Sequence, residues 1–124
     1  MSSDAEAGAI AGLHDVFNLL RTFEDDGLTI RRAGALEGAA EKVTAASLEF
    51  IDVTEPEDLQ RQLQAAVKAL QIAEKSARAH RRNPLTRPIS HARFALNVGI
   101  AQGGLHLALA ALDPENTPPV PESD

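Results

Sequence analysis

The residues best suited to chemistry lie between positions 75 and 93, where the chain carries six basic side chains and no acidic one. Guanidinium groups bind phosphates, and the free N–H groups at the start of a helix attract the same ligands. The segment is therefore a candidate site for an anionic ligand or nucleic acid. Three other roles compete: cations stabilise the C-terminal end of a helix, pair with neighbouring acidic helices, or dock an acidic tail or an acidic protein partner. The arginines concerned are Arg78, Arg81, Arg82, Arg87 and Arg93.

Histidines are the other side chains that could take part in catalysis or bind a metal. No histidine follows a glutamate by three residues, so the Glu-x-x-His pattern of di-iron bundles is missing. The chain has no cysteine, which excludes disulfides, thiolate catalysis and sulfur-ligated metals. We therefore predict no catalytic residue, no metal and no cofactor. His106 lies in an apolar helix and is expected to be a buried histidine with one hydrogen-bond partner.

Glycine spacing gives a third set of candidate residues, because six of the eight glycines form pairs separated by one helical turn. A glycine in a helix interior costs about 1 kcal/mol relative to alanine, so repeated use suggests a compensating contact. Glycines on one face allow two helix backbones to approach closely. We expect them to lie at a helix contact, either within one subunit or between two. The pairs are Gly8 with Gly12, Gly34 with Gly38, and Gly99 with Gly103.

The composition favours helices. Hydrophobic residues make up 44% of the chain, yet it holds four Phe and no Trp or Tyr, so Leu, Ile, Val and Ala must form the core. The net charge of −6 is unevenly divided, because the chain is acidic before residue 75, basic in the middle and acidic again after residue 112. The first 25 residues lack a basic start followed by an apolar run. We therefore expect a cytoplasmic protein without an export signal.

Capping residues and the spacing of apolar side chains predict four helices joined by short connections. Short connections make neighbouring helices antiparallel, so the fold class is all-α, an antiparallel up-down-up-down four-helix bundle. A single domain is expected over residues 1–112, with a disordered, acidic, proline-rich tail over 113–124. The predicted helices span about 4–25, from a Thr29 cap to 53, from a Thr54 cap to 82, and from Pro84 or Pro88 to 112.

Helix four is unusual because residues 94–112 contain no charged side chain. A helix that is apolar on nearly every side needs cover on nearly every side. It lies either at the centre of the monomer or between its own subunit and a partner. A membrane span is the third option, but Asn97, Gln102 and His106 interrupt the apolar run and no Trp or Tyr marks its ends. We predict no membrane span.

These features lead to a functional hypothesis that is not enzymatic. The chain is predicted to be a small helical protein that forms a homo-oligomer, with a dimer favoured, and binds a protein partner through helix four and the glycine-paired faces. The alternative is binding of an anionic ligand or nucleic acid through segment 75–93. A small-molecule pocket between the helices, and with it an enzymatic activity, stays open because such pockets need no sequence signature.

Overall fold

The computed structural model describes residues 3–25, 34–53 and 57–117. Within these ranges the chain forms four helices and no strand, so the prediction of an all-α protein is confirmed. Short 3-10 turns lie at 34–36, Pro84–Thr86 and Pro114–Asn116. The four α-helices are α1 (Ser3–Asp25), α2 (Ala39–Glu49), α3 (Leu59–Arg82) and α4 (Arg87–Leu112).

Each helix contributes one apolar face to a single core. In α3 the buried positions recur every three or four residues, which is the period of one helix face. The apolar residues that recur at this spacing in the α3 sequence form its buried face. The buried series in α3 includes Leu59, Leu63, Ala66, Leu70, Ala73 and Ala77.

Contacts between helices place α1 beside α2 and α4, and α3 beside α2 and α4. The end of α1 meets the start of α4, where the Phe23 and Phe94 rings lie 5.7 Å apart, edge to face. The first half of α1 meets the end of α4, where His14 Nε2 lies 3.0 Å from the Asp113 carboxylate. The side-chain amide of Gln60, near the start of α3, donates to the Ser47 carbonyl near the end of α2.

The turn between α3 and α4 forms where the sequence predicts it. Asn83 ends α3, and its side-chain oxygen accepts a hydrogen bond from the Leu85 amide at 3.1 Å. Pro84 opens the 3-10 turn, and Pro88 lies in the first turn of α4. Both prolines therefore occupy positions where a missing N–H and a fixed φ favour the start of a helix.

Helix α2 is shorter than predicted. It begins at Ala39 because Gly38 has φ +82°, a left-handed conformation that interrupts any helix continuing from earlier residues. Gly34 lies in the 3-10 turn, so Gly34 and Gly38 do not share a helix face and the prediction of a helical pair at these positions is wrong. The predicted cap at Thr29 lies outside the described residues.

Helix α3 also begins later than the cap at Thr54, which lies outside the described residues. Its first residue is Leu59. The preceding residue, Asp58, accepts hydrogen bonds from the first turn through both its backbone carbonyl and its carboxylate. The Asp58 carbonyl accepts from the Gln62 amide at 2.9 Å, and the Asp58 carboxylate accepts from the Gln62 side chain at 3.1 Å. An acidic residue here also suits the positive end of the helix dipole.

The folded part of the chain extends past residue 112, where we had placed the start of a disordered tail. Pro114–Asn116 form a 3-10 turn, and Thr117 is buried. The Thr117 hydroxyl lies 2.7 Å from the Asp113 carbonyl and 3.2 Å from the Leu109 carbonyl, which also accepts from the Asp113 amide. Residues 118–124 lie outside the described residues.

Candidate functional site

Helix α4 has a second apolar side that the described part of the chain leaves uncovered. Its buried side carries Phe94, Val98, Ala101, Leu105 and Leu109, which pack into the core. Exposed residues recur on the opposite side at intervals of three and four, and none of them is charged. We call this set the α4 stripe: Leu85, Ile89, Ala92, Leu96, Ile100, Gly103 and Leu107.

The five large apolar side chains of the α4 stripe are all at least 45% exposed. Leu96 is 62% exposed, Leu85 is 91% exposed and Ile89 is 60% exposed. The stripe begins in the 3-10 turn that leads into α4 and runs over residues 85–107, about 33 Å along the helix axis. An uninterrupted apolar surface of this length is typical of an interaction site.

The α4 stripe widens into a groove between α3 and α4. This open groove has a volume of about 730 Å³, and Ile72, Ile89 and Leu96 supply its exposed apolar side chains. Lys75 and Arg93 stand on opposite walls of the groove. The groove therefore joins the apolar surface of α4 to the basic region at the α3–α4 turn.

The same helix is long and apolar enough to cross a membrane. Within the described ranges the stretch Pro84–Leu112 satisfies that criterion, which rests on length and composition alone and which the core helix of a soluble protein also meets. Only 33% of its most apolar window is buried. The side of α4 that faces away from the core is thus available to a partner or to another apolar environment.

The five arginines proposed as an anion site do not surround a common point. Arg78 pairs with Glu74 at 2.6 Å, which neutralises it locally, and Arg78 and Arg81 line a small depression shared with Glu37. Arg87 instead donates through Nε to the His80 carbonyl at 3.2 Å.

Arg82 and Arg93 complete this set, and both are exposed. Arg93 lines the α3–α4 groove, whereas Arg82 lies in the last turn of α3 with Arg81 and His80. Cations in a last turn interact favourably with the negative end of the helix dipole. The arrangement gives the α3–α4 turn a positive surface without forming a defined phosphate pocket.

Most of the paired glycines do not pack against another helix of the same subunit. Among the described residues, a Cβ added at Gly8, Gly99 or Gly103 would meet nothing within 4 Å, and the same holds for Gly34 and Gly38. A Cβ at Gly12 would touch only the flexible side chain of Lys42, at 3.4 Å. Packing within the monomer therefore does not explain the helical pairs, and Gly103 belongs to the uncovered α4 stripe.

Sequence reasoning missed the glycine at which two helices do approach closely. A Cβ at Gly104 would lie 3.0 Å from the Gln62 carbonyl oxygen of α3 and 3.6 Å from Ala66 Cβ. Gly104 was overlooked because it belongs to none of the pairs spaced by four. The sequence feature that could have identified Gly104 is its position on the helix face that also carries Ala101, Leu105 and Ala108.

Replacing Gly104 by Leu is expected to destabilise the fold by about 2 kcal/mol, because the side chain must push the backbone of α3 away. Urea denaturation would measure this loss. Gly8→Ala is the matched control, since it adds a methyl group in open space and removes the penalty of a helical glycine, so stability should rise by about 0.5–1 kcal/mol. Equal effects of the two substitutions would contradict the close approach.

His14 and Asp113 form a hydrogen-bonded pair at the edge of an open depression on α1. The His14 hydrogen bond, supported by the Asn116 side chain, lowers the pKa of the Asp113 carboxyl below its ordinary value. The depression has a volume of about 520 Å³, and among the described residues no hydroxyl or amine side chain lines it. The hydrogen bond fastens the segment after α4 to α1.

A carboxyl whose pKa is lowered by folding stabilises the protein above its unfolded pKa and loses that contribution as the pH falls through the folded value. Asp113→Asn should therefore lower the melting temperature modestly at about pH 7. The difference from the unsubstituted protein should shrink in strong acid, where both side chains are neutral. Thermal melts over that pH range would test this, and a difference that does not change with pH would contradict it.

The other histidines lie at separate places. The His106 ring stacks on Phe17 with centroids 5.3 Å apart and is half-buried, which is less burial than we predicted. The His80 and His91 rings lie 6.4 Å apart. Among the described residues no three His, Asp or Glu side chains are grouped closely enough to hold a metal ion.

Comparison with known proteins adds no functional assignment. No protein-family model matches the chain, and no curated protein and no solved structure shows significant similarity to it.

Proposed function

We propose that this protein is a small, non-enzymatic helical module that acts by self-association and by binding a protein partner. The observation that carries the proposal is the α4 stripe, an uncharged apolar surface about 33 Å long on a helix whose other side is fully used by the core. Burial of apolar surface is the main favourable term in protein association. A second copy of the chain is the simplest partner, because it always presents the same surface.

The proposal includes an antiparallel up-down-up-down arrangement of the four helices. Contacts along α1 and α4 support it, since Phe23 meets Phe94 while His14 meets Asp113, so one helix runs against the other. Gly104 beside Gln62 supports the same relation for α3 and α4.

We favour a soluble, cytoplasmic protein over a membrane-spanning one. The core side of α4 packs against α1 and α3, whose outer surfaces carry exposed charged residues such as Asp15 and Lys68. Asn97 in α4 is buried against the protein, where its side chain donates to the Arg93 carbonyl at 2.8 Å. A lipid-facing span would also require anchoring aromatic residues at its ends, and the chain has neither Trp nor Tyr.

Light scattering coupled to size-exclusion chromatography tests self-association directly. At high protein concentration we expect a mass near twice the 13.2 kDa of one chain, decreasing toward 13.2 kDa on dilution. A mass of 13.2 kDa at every concentration would overturn the proposal of a homodimer.

A second function is binding of an anionic ligand or nucleic acid by the basic segment. The six cations between residues 75 and 93 support it, but the separate surroundings of the arginines make it the weaker candidate. Binding of short RNA or DNA should weaken steeply as salt is added, because phosphate contacts release counterions. Absence of binding to RNA, DNA and nucleotides at low salt would exclude this function.

A further inference from the structure

We infer that two copies pair along the α4 stripe in antiparallel orientation, so that the acidic end of each subunit lies against the basic α3–α4 turn of the other. This inference rests on the self-association proposed above and specifies its geometry. A two-fold axis perpendicular to α4 near Leu96, the midpoint of the stripe, generates the arrangement.

The sizes of the stripe side chains favour this orientation. With the axis at Leu96, Ile89 of one copy lies at the level of Gly103 in the other, where the missing Cβ leaves open space. Leu85 lies at the level of Leu107, and Leu96 meets its own counterpart. A parallel, in-register pair would instead set Ile89 on Ile89 and leave Gly103 opposite Gly103, which produces a gap.

The distribution of charge favours the same orientation. The end of the molecule at which α4 finishes also holds the N-terminal half of α1, because Ala7 and His14 line one depression with Asp113. The start of α3 and the end of α2 lie there too, as the contacts of Gly104 with Gln62 and of Gln60 with Ser47 indicate. Acidic side chains outnumber basic ones there, with Arg61 as a basic neighbour. The exposed acidic residues at this end are Asp4, Glu49, Asp52, Glu57 and Glu115.

The α3–α4 turn, from which α4 begins, is basic. Arg81, Arg82 and Arg87 are exposed around the α3–α4 turn, and Arg93 follows on α4. Glu74 forms an ion pair with Arg78, and both line the depression that also contains Glu37. None of these residues belongs to the α4 stripe. A parallel dimer would bring the two sets of arginines together, whereas an antiparallel dimer sets each of them near the partner's carboxylates, and like charges across an interface are unfavourable.

Cross-linking tests the orientation cleanly because the chain has no cysteine of its own. Leu85→Cys and Leu107→Cys each introduce one thiol, and these positions lie at opposite ends of the stripe, about 33 Å apart. In an antiparallel dimer a short bismaleimide should join the variants only when they are mixed, as a heterodimer of one with the other. Efficient cross-linking of each variant to itself would overturn the inference and indicate a parallel pair.

Salt dependence of the unsubstituted protein gives a second readout that does not depend on either variant. In the antiparallel dimer added salt screens attraction between opposite charges, so the dissociation constant should rise several-fold between low and high ionic strength. In a parallel dimer screening would relieve repulsion, and the dissociation constant should fall. A fall would therefore overturn the inference.

The two proposals fail in different ways. A protein that stays monomeric at all concentrations overturns self-association and the orientation together. A protein that dimerises but cross-links each variant to itself retains the proposed function and loses only the antiparallel geometry.

Discussion

Replacing Leu96 by Glu is expected to raise the dissociation constant of the dimer by about 100-fold or more, which corresponds to roughly 2.7 kcal/mol. At the centre of the stripe each copy would place a carboxylate against its counterpart, so two like charges would be desolvated without a cation between them. The fold of the monomer should be unaffected, because Leu96 is 62% exposed there.

Light scattering over a concentration series would measure the change, with circular dichroism to confirm unchanged helix content. The matched control is Leu48→Glu in α2, since Leu48 is 61% exposed and lies outside the stripe. Dimerisation that survives Leu96→Glu but not Leu48→Glu would move the interface to α2 and overturn the assignment of α4.

Phe94 lies two residues before Leu96 but on the opposite side of α4. Phe94→Ala should therefore weaken folding and leave the dimer interface unchanged. The Phe94 ring is fully buried and packs edge to face on Phe23, so its removal leaves a large cavity between α1 and α4. We expect a loss of about 3–5 kcal/mol in the free energy of unfolding. That is a large part of the stability of a small domain.

Urea denaturation of the Leu96→Glu protein provides the cleanest measurement, because a monomer has a stability that does not depend on concentration. Leu107→Ala in the same background is the control, since Leu107 belongs to the exposed stripe and its truncation should cost little. Equal losses for Phe94→Ala and Leu107→Ala would show that the two sides of α4 are wrongly distinguished.

The parts of the fold that sequence reasoning predicted are those governed by a regular period or by a local stop. The apolar residues of α3 repeat with the helical period, so they identify the buried face without tertiary information. Asn83 and Pro84 mark the end of α3 equally well, because the side chain of one and the ring of the other favour a turn.

The parts that it missed depend on single residues whose roles emerge only in three dimensions. Gly38 sits within a helical pattern, and its left-handed conformation is what makes α2 start late. Thr117 lies in a polar, proline-rich stretch, yet its hydroxyl lies close to two carbonyls at the end of α4. Composition alone assigned that stretch to a disordered tail.

The candidate sites also divide into features that the sequence predicted and features that depend on the three-dimensional structure. The uncharged run in α4 predicted a helix that needs cover on nearly every side, and the described part of the chain covers only one side of it. Arg78, Arg81 and Arg82 share one face of α3, at spacings of three and four residues. Arg87 and Arg93 come after the turn and have separate surroundings, so the five arginines do not converge. The partner of Arg78, Glu74, turns one presumed ligand group into a local ion pair.

The hydrogen bond between His14 and Asp113 bears on the order in which the chain assembles, because it joins residues 99 positions apart. Bringing together residues so far apart in sequence costs more chain entropy than pairing two helices that are adjacent in sequence. Helices α3 and α4 are adjacent in sequence, joined by a tight turn, and share the most extensive helix contact within the described residues. We therefore expect this hairpin to form early, and the first helix to be fastened to the residues beyond α4 as one of the last events of folding.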